Sequence, residues 1–282
     1  MKEQSRRQFF TTASAAAFAT TASLSLTAPA HAKDQPAKKK IPFNLGLASY
    51  TTRKFSLDDT LKMAARLGLS QICLKSFHLP LDASQEQIDE ARKKAKAAGV
   101  AVYGCGVVYM KNEDAVKQAF KHAKMAGMKI IVGVPMPDTL PLVERLVKDT
   151  GIAVAIHNHG PGDKVYPTVE KAHEKIKGLD PRIGYCMDIG HTARAGRDPA
   201  ATARRFAERM LDIHLKDVSM AAAKGRCVEA GRGVIDIPAL LEALVETNFS
   251  GNASFEFEKD PADPMPGLAE SVGYVRGALA TL

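Results

Sequence analysis

Thr150-Gly151-Ile152-Ala153-Val154-Ala155-Ile156-His157-Asn158-His159-Gly160 is the stretch on which the reading of the fold turns. A helical pattern stops at a glycine, an apolar run of strand length follows at once, and the run closes on histidines. Glycine at a helix C-terminus followed directly by a strand is the usual helix-to-strand connection of an α/β unit. A near-continuous apolar run is what a parallel strand looks like when both of its faces are buried. Working outward, the same order recurs at Gly99 and Gly127, and strand-like runs fall at 43–48, 71–75, 100–107, 129–134, 153–156, 183–187, 211–215 and 253–257. Helical patterns follow each of them, the first capped by Ser56 with Asp58 and Asp59 in its first turn. Strands that alternate with helices imply parallel pairing through βαβ units. Eight such units in some 250 residues predict an α/β fold of one domain, a closed (β/α)8 TIM barrel. No GxGxxG follows the first strand, which argues against an open dinucleotide-binding sheet.

The N-terminus reads differently. Ser5-Arg6-Arg7-Gln8-Phe9-Phe10 is a twin-arginine pattern, a mildly apolar Ala/Thr/Ser stretch follows, and Ala30-His31-Ala32 supplies small residues for cleavage. The expectation is a twin-arginine signal peptide over 1–32, a basic linker over 33–41, the barrel over 42–282, and a periplasmic product. No later segment is apolar for long enough to span a bilayer, so no membrane partner is expected after cleavage. Removing Lys2, Arg6, Arg7 and Glu3 with the leader lowers the net charge from +8 to +6. Much of that charge sits in Lys33–Lys40, without the aromatic interleaving or basic helical stripe of a nucleic-acid binder. Cys73, Cys105, Cys186 and Cys227 form no CxxC pair, and buried free thiols are the expectation.

Four polar clusters close the later strands: Ala155-Ile156-His157-Asn158-His159-Gly160, Met187-Asp188-Ile189-Gly190-His191, Asp212-Ile213-His214-Leu215-Lys216-Asp217 and Ser254-Phe255-Glu256-Phe257-Glu258. A charged group ending a buried strand is costly unless it is paired, metal-bound or at the open end of the sheet. In a barrel these ends converge at the C-terminal face, and imidazoles meeting carboxylates there read as a metal site. A strand period of two puts Asp188 on the face of Cys186 and Gly184, His214 on that of Asp212 and Lys216, and Glu256 on that of Ser254 and Glu258.

The runs Met187–His191, His214–Asp217, Gly231-Arg232-Gly233-Val234-Ile235-Asp236 and Glu256 resemble the sugar phosphate isomerase/epimerase family. This is the xylose-isomerase-like barrel group that also holds the endonuclease IV type enzymes. The resemblance spans essentially the whole chain after the leader. It implies a divalent metal at the ends of strands five to eight, with Asp188, His214 and Glu256 in the places of the family's ligands and His191 in that of a substrate-contacting histidine. The chain departs from the family at strand five, where His157 stands in the place of a glutamate. A second imidazole shifts preference toward Mn²⁺, Zn²⁺ or a similar ion and away from Mg²⁺. It also removes a carboxylate that shares proton transfer in the family's epimerases.

The expected metal set is therefore His157, Asp188, His214 and Glu256, with Glu256, Glu258, His191 and Lys216 as catalytic candidates. Lys75 and His78 after strand two, His159, and Arg194 in the loop after His191 are candidates for binding substrate. The leading reading is an exported, metal-dependent isomerase or epimerase acting on a sugar, keto-sugar or polyol through an enediolate. β-Elimination from a 3-keto-glycoside uses the same chemistry, and a non-catalytic sugar-binding protein is the reading from another class. A small carbohydrate is the expected partner; nucleic acid is not, because the leader carries the chain away from the genome. Intact-mass analysis of the exported protein should find Lys33 as its first residue, and material that still begins at Met1 would contradict the leader.

Overall fold

The computed structural model describes residues 41–282. The leader expected over 1–32, and all but the last residue of the linker expected over 33–41, lie outside the described residues. The strands are β1 (Asn44–Ala48), β2 (Gln71–Leu74), β3 (Ala101–Met110), β4 (Ile130–Pro135), β5 (Ala153–His157), β6 (Ile183–Asp188), β7 (Met210–Leu215), a short pair β8 (Asp217–Val218) and β9 (Cys227–Val228), and β10 (Asn252–Phe255). β1 to β7 pair in chain order and all in parallel, and β10 closes the ring between β7 and β1. The architecture is a TIM barrel.

Helices α1 (Leu57–Arg66), α2 (Gln85–Ala97), α3 (Glu113–Met125), α4 (Leu140–Thr150), α5 (Val169–Ile176), α6 (Ile189–Arg194), α7 (Pro199–Arg205), α8 (Ile237–Glu246) and α9 (Met265–Leu279) alternate with the strands. Their starts follow local chemistry. Ser56, Ser84, Asn112, Thr168 and Asp236 each accept a backbone N–H of the first turn, which satisfies donors that a helix leaves orphaned. Gly151 leaves α4 at φ 71°, turning the chain directly into β5.

Two apolar layers result. The larger lies between barrel and helices and includes Leu47, Ile72, Ile131, Ile156, Ile213 and Phe255. The smaller fills the barrel with Cys73, Ile130, Val132, Ala155 and Cys186. Small inward residues leave room for the polar side chains above them. All four cysteines are free and buried. No helix among the described residues is long and apolar enough to cross a membrane.

Two features depart from the sequence expectation. The chain after β7 forms the antiparallel hairpin β8–β9 instead of entering a helix. The Asp217 carboxylate fastens the connection that follows, accepting the N–H groups of Gly231 at 2.9 Å, Gly233 at 3.0 Å and Ile235 at 3.2 Å. A Cβ on Gly233 would stand 2.1 Å from Asp217 Oδ1, so only glycine fits there. The chain after β6 also turns into helix at once: Asp188 is the N-cap of α6, so His191 and Arg194 sit on that helix and not in a loop.

Candidate metal centre

Parallel register brings the polar strand ends to one level. Asp188 is the register partner of His214, which pairs on its other side with Ser254, two residues before Glu256. His157 is the last residue of β5, and Glu256 is the first residue past β10. The structure brings these four together, with one ligand atom from each lying within 4.8 Å of all the others. His157 Nε2 is 3.1 Å from His214 Nδ1, 3.6 Å from Asp188 Oδ2 and 3.9 Å from Glu256 Oε2, and His214 Nδ1 is 3.3 Å from Glu256 Oε2. None of the four side chains is more than 6% exposed.

The residues fit a divalent metal. Edges of a tetrahedral shell with bonds of about 2.0–2.1 Å are about 3.3 Å long, close to the observed separations. Asp188 divides its work: Oδ1 accepts the His191 N–H at 2.7 Å and caps α6, while Oδ2 faces the other donors with no aligned hydrogen bond. Lys216 Nζ lies 2.8 Å from each of Asp188 Oδ2, Glu256 Oε2 and Glu258 Oε1. One ammonium against three carboxylates leaves two negative charges in excess, the charge that a divalent ion cancels. Two imidazoles with two carboxylates suit Zn²⁺ or Mn²⁺.

Protonation states agree with that use. Burial pushes the His157 imidazole down from 6.5 to about 4, so it is neutral, as a ligand must be. Burial would raise the Asp188 and Glu256 carboxyls, but the Lys216 ammonium outweighs it and holds both well below the usual range. The same carboxylates overcome burial at Lys216 and keep it charged. His214 runs the other way: Glu256 chiefly raises it despite burial, so a metal bound there would have to displace a proton from that ring.

Around the four donors the remaining candidates divide. Glu258 accepts from Lys216 and stays 29% exposed at the mouth. The His191 ring lies 6.0 Å from that of His157, and its Nδ1 is 3.4 Å from an Arg194 guanidinium nitrogen, which leaves Nε2 as the N–H. Arg194 itself donates to Gly225 O at 2.8 Å, so it braces the hairpin and His191. His159 follows β5, 4.5 Å from the His157 ring, with Tyr109 Oη 3.1 Å from its Nε2. Lys75 reaches the same side, donating to Val107 O and lying over the Tyr109 ring at 5.6 Å. His78 is a correction: the structure does not bring it to the donors. Its Nε2 is 3.1 Å from both Thr60 Oγ1 and Phe55 O, and it packs the loop after β2.

Three supporting groups were not singled out from sequence. Asn158 accepts the Asp188 N–H at 3.0 Å and donates to Thr192 Oγ1 at 3.2 Å, which locks the top of β6. Asp212 lies under the donors, its oxygens each 3.2 Å from Tyr103 Oη, which is 2.8 Å from Ser254 Oγ. Its Oδ2 is 3.9 Å from His214 Nε2, too far for a hydrogen bond, and that nitrogen has no hydrogen-bond partner among the described residues. Burial pushes the Asp212 carboxyl up to about 7. Its alternation with His214 and Lys216 was the signal available in the sequence.

A family described as xylose isomerase-like TIM barrel matches residues 139–278, the part that carries all four donors. The rhizopine catabolism protein MocC of Rhizobium meliloti is 29% identical over 148 residues, 47% of this chain and 45% of its own length. An inosose dehydratase of Clostridium beijerinckii is 28% identical over 148 residues, 46% of this chain and 49% of its own. The chain thus spans about half the length of the curated relatives it matches. Among solved structures, IOLI protein with a bound zinc atom superposes with a TM-score of 0.71 at 17% identity, over 85% of this chain and 99% of that one, a likeness of fold.

The depressed imidazoles give a pH signature. Burial is also the chief cause that brings His191 from 6.5 to about 4. A base whose folded pKa is depressed contributes stability that is present above pH 6.5 and is lost as pH falls toward 4. Over that window chelator-treated His191→Gln should therefore lose less stability, or gain more, than chelator-treated wild type, since one depressed imidazole no longer titrates. Asp212 is common to both proteins and cancels in the comparison. Denaturant midpoints measured from pH 7 to pH 4.5 test this, and identical slopes would refute it.

Proposed function

This chain belongs to the xylose isomerase-like TIM barrel family, and from that premise we propose an exported, divalent-metal-dependent lyase of the dehydratase kind. It takes a proton from the carbon beside a carbonyl of a sugar or cyclitol and expels a β-hydroxyl or β-alkoxyl group. One observation carries the reading: outside the four donors a single carboxylate, Glu258, borders the cluster through Lys216, while the rings next to His157 are the imidazoles of His159 and His191. Glu256 and Glu258 come from the end of β10, whereas His157 and His159 come from β5 and His191 from α6. Relatives named inosose dehydratase support the same class.

His157, Asp188, His214 and Glu256 would hold the metal. When bound, it supplies Lewis acidity that polarises the carbonyl and a neighbouring hydroxyl. Glu256 is then a poor base, since its charge is already compensated by Lys216 and committed to the site. Glu258 has Oε1 on Lys216, and its side chain stays part-exposed at the mouth. It takes the proton from carbon, and the C–H electron pair becomes the new C=C bond as the β-C–O bond breaks. The same proton then passes to the departing oxygen on the same face, so water or an alcohol leaves and no redox partner is needed. Lys216 limits the charge that develops beside Glu258. The Nε2–H of His191 and the ring of His159 orient hydroxyls.

A second reading uses the same base. Glu258 returning its proton to the neighbouring carbon gives isomerisation, for which one carboxylate also suffices. Two-base epimerisation finds only imidazoles and the Tyr109 phenol as its second base.

The test is metal analysis followed by incubation in D₂O with a keto-inositol and a 3-keto-glucoside. Wild type should carry one divalent ion per chain, and His214→Ala and Asp188→Ala should lose it. Glu258→Gln should keep the metal while exchange at the carbon falls by ~100-fold, the scale of a general base. A near-ultraviolet enone band marks elimination, and a deuterated isomer without that band marks isomerisation. Unchanged metal in both ligand variants, or normal exchange by Glu258→Gln, would overturn the assignment.

A further inference from the structure

Strands β1 to β3 supply none of the four donors, yet the ends of these strands are aromatic. Tyr50 lies in the 3-10 turn Ser49–Thr52 after β1, Phe77 in the loop after β2, and Tyr109 near the end of β3. Phe77 and Tyr109 are 46% and 48% exposed. Large rings left in water at the functional end of a barrel point to a ligand surface.

These segments are tied to the site. Thr51 Oγ1 donates to Phe255 O and accepts the Phe257 N–H, both at 3.0 Å, which joins the turn to the segment that bears Glu256. Ser49 Oγ accepts the Lys75 N–H at 2.8 Å, which joins the turn to the Phe77 loop. The rings form two pairs. The inner pair is Tyr109 stacked on His159, with centroids 5.7 Å apart and planes at 22°, next to His157. The outer pair is Tyr50 with Phe77, 6.3 Å apart. Burial is the chief cause that raises the Tyr109 phenol.

A sugar ring held over the donors would have the inner pair beside it, because His159 stands next to His157. The C–H face of a pyranose or aryl ring stacks on an aromatic face, so the outer pair has the chemistry for a second ring. The nearby cations are engaged. Arg53 donates to Tyr50 O at 3.2 Å and Glu258 O at 2.9 Å, Lys75 to Val107 O, and Lys216 contacts three carboxylates. A phosphate therefore finds no free partner among these three.

We propose that Tyr50 and Phe77 form an outer subsite for the second ring of an uncharged glycoside, so that the natural substrate has two rings and no phosphate. This rests on the reading that the first ring reacts at the four donors.

The test compares the affinity of the metal-loaded mature protein for cellobiose, phenyl β-glucoside and methyl β-glucoside by calorimetry. Wild type should bind the two-ring probes more tightly than methyl β-glucoside. Phe77→Ala and Tyr50→Ala should weaken the two-ring probes by about 3- to 10-fold, the scale of one lost aromatic stack, and leave methyl β-glucoside unchanged. Tyr109→Ala should weaken all three. Phe77→Tyr should restore two-ring binding, which separates stacking from a folding defect. Equal loss for one-ring and two-ring probes, no loss for either, no binding of any probe, or tighter binding of glucose 6-phosphate than of cellobiose would overturn the subsite. Calorimetry needs no turnover, so a failed deuterium exchange contradicts the reaction and leaves this ratio to stand or fall by itself.

Discussion

The Lys216 ammonium, fully buried among Asp188, Glu256 and Glu258, is the contact on which the rest of the site depends. A lone ammonium or carboxylate at that depth would shed its charge rather than stay ionised. Together they remain ionised, and the surplus is negative. That surplus would suit a divalent cation, and of the three carboxylates Glu258 is the one that stays part-exposed at the mouth. Removing Lys216 would leave three carboxylates close together, so its effect should reach metal affinity, folding and chemistry at once. An ion cluster of this kind does not gain its value from stability; hydrophobic side chains of the same volume often pack as well or better.

The barrel makes this arrangement affordable. Small inward residues such as Ala155 and Cys186 leave space beneath the donors, and register sets Asp188 level with His214. Supporting contacts then hold parts of the site from behind: Asn158 on the Asp188 N–H at the end of β6, and Arg194 beside His191. Such contacts orient ligands and tune them. The hairpin after β7 adds a lip, drawn in by the Asp217 carboxylate on the N–H groups around Gly233.

Much of the fold was legible because the parallel strands have both faces buried and their preceding helices stop at glycines; Gly151 before β5 is the clearest example. The convergence of His157, Asp188, His214 and Glu256 was legible too, because strand ends in a barrel share one rim. Side-chain direction off a loop was not. His78 had the polarity of a substrate contact, but its loop turns it onto Phe55 O and Thr60. Arg194 was expected in a loop after His191, but the capping role of Asp188 starts helix one residue later and carries Arg194 on it. Tyr103 could not be connected with Asp212, since they lie 109 residues apart in sequence and meet only across the closed barrel. Nothing in the spacing of Phe77 and Tyr109 marks them in the sequence; their exposure sets them apart.

The central claim is a metal shell of two imidazole nitrogens and two carboxylate oxygens. X-ray absorption at the edge of the bound metal tests it most directly, because the geometry offers a rival set in His157, Cys186 and His214. The account predicts two imidazole scattering patterns, oxygen or nitrogen neighbours only, and the loss of one imidazole in His157→Ala. A sulfur neighbour at about 2.3 Å, the zinc–thiolate distance, or a shell without imidazole would contradict it.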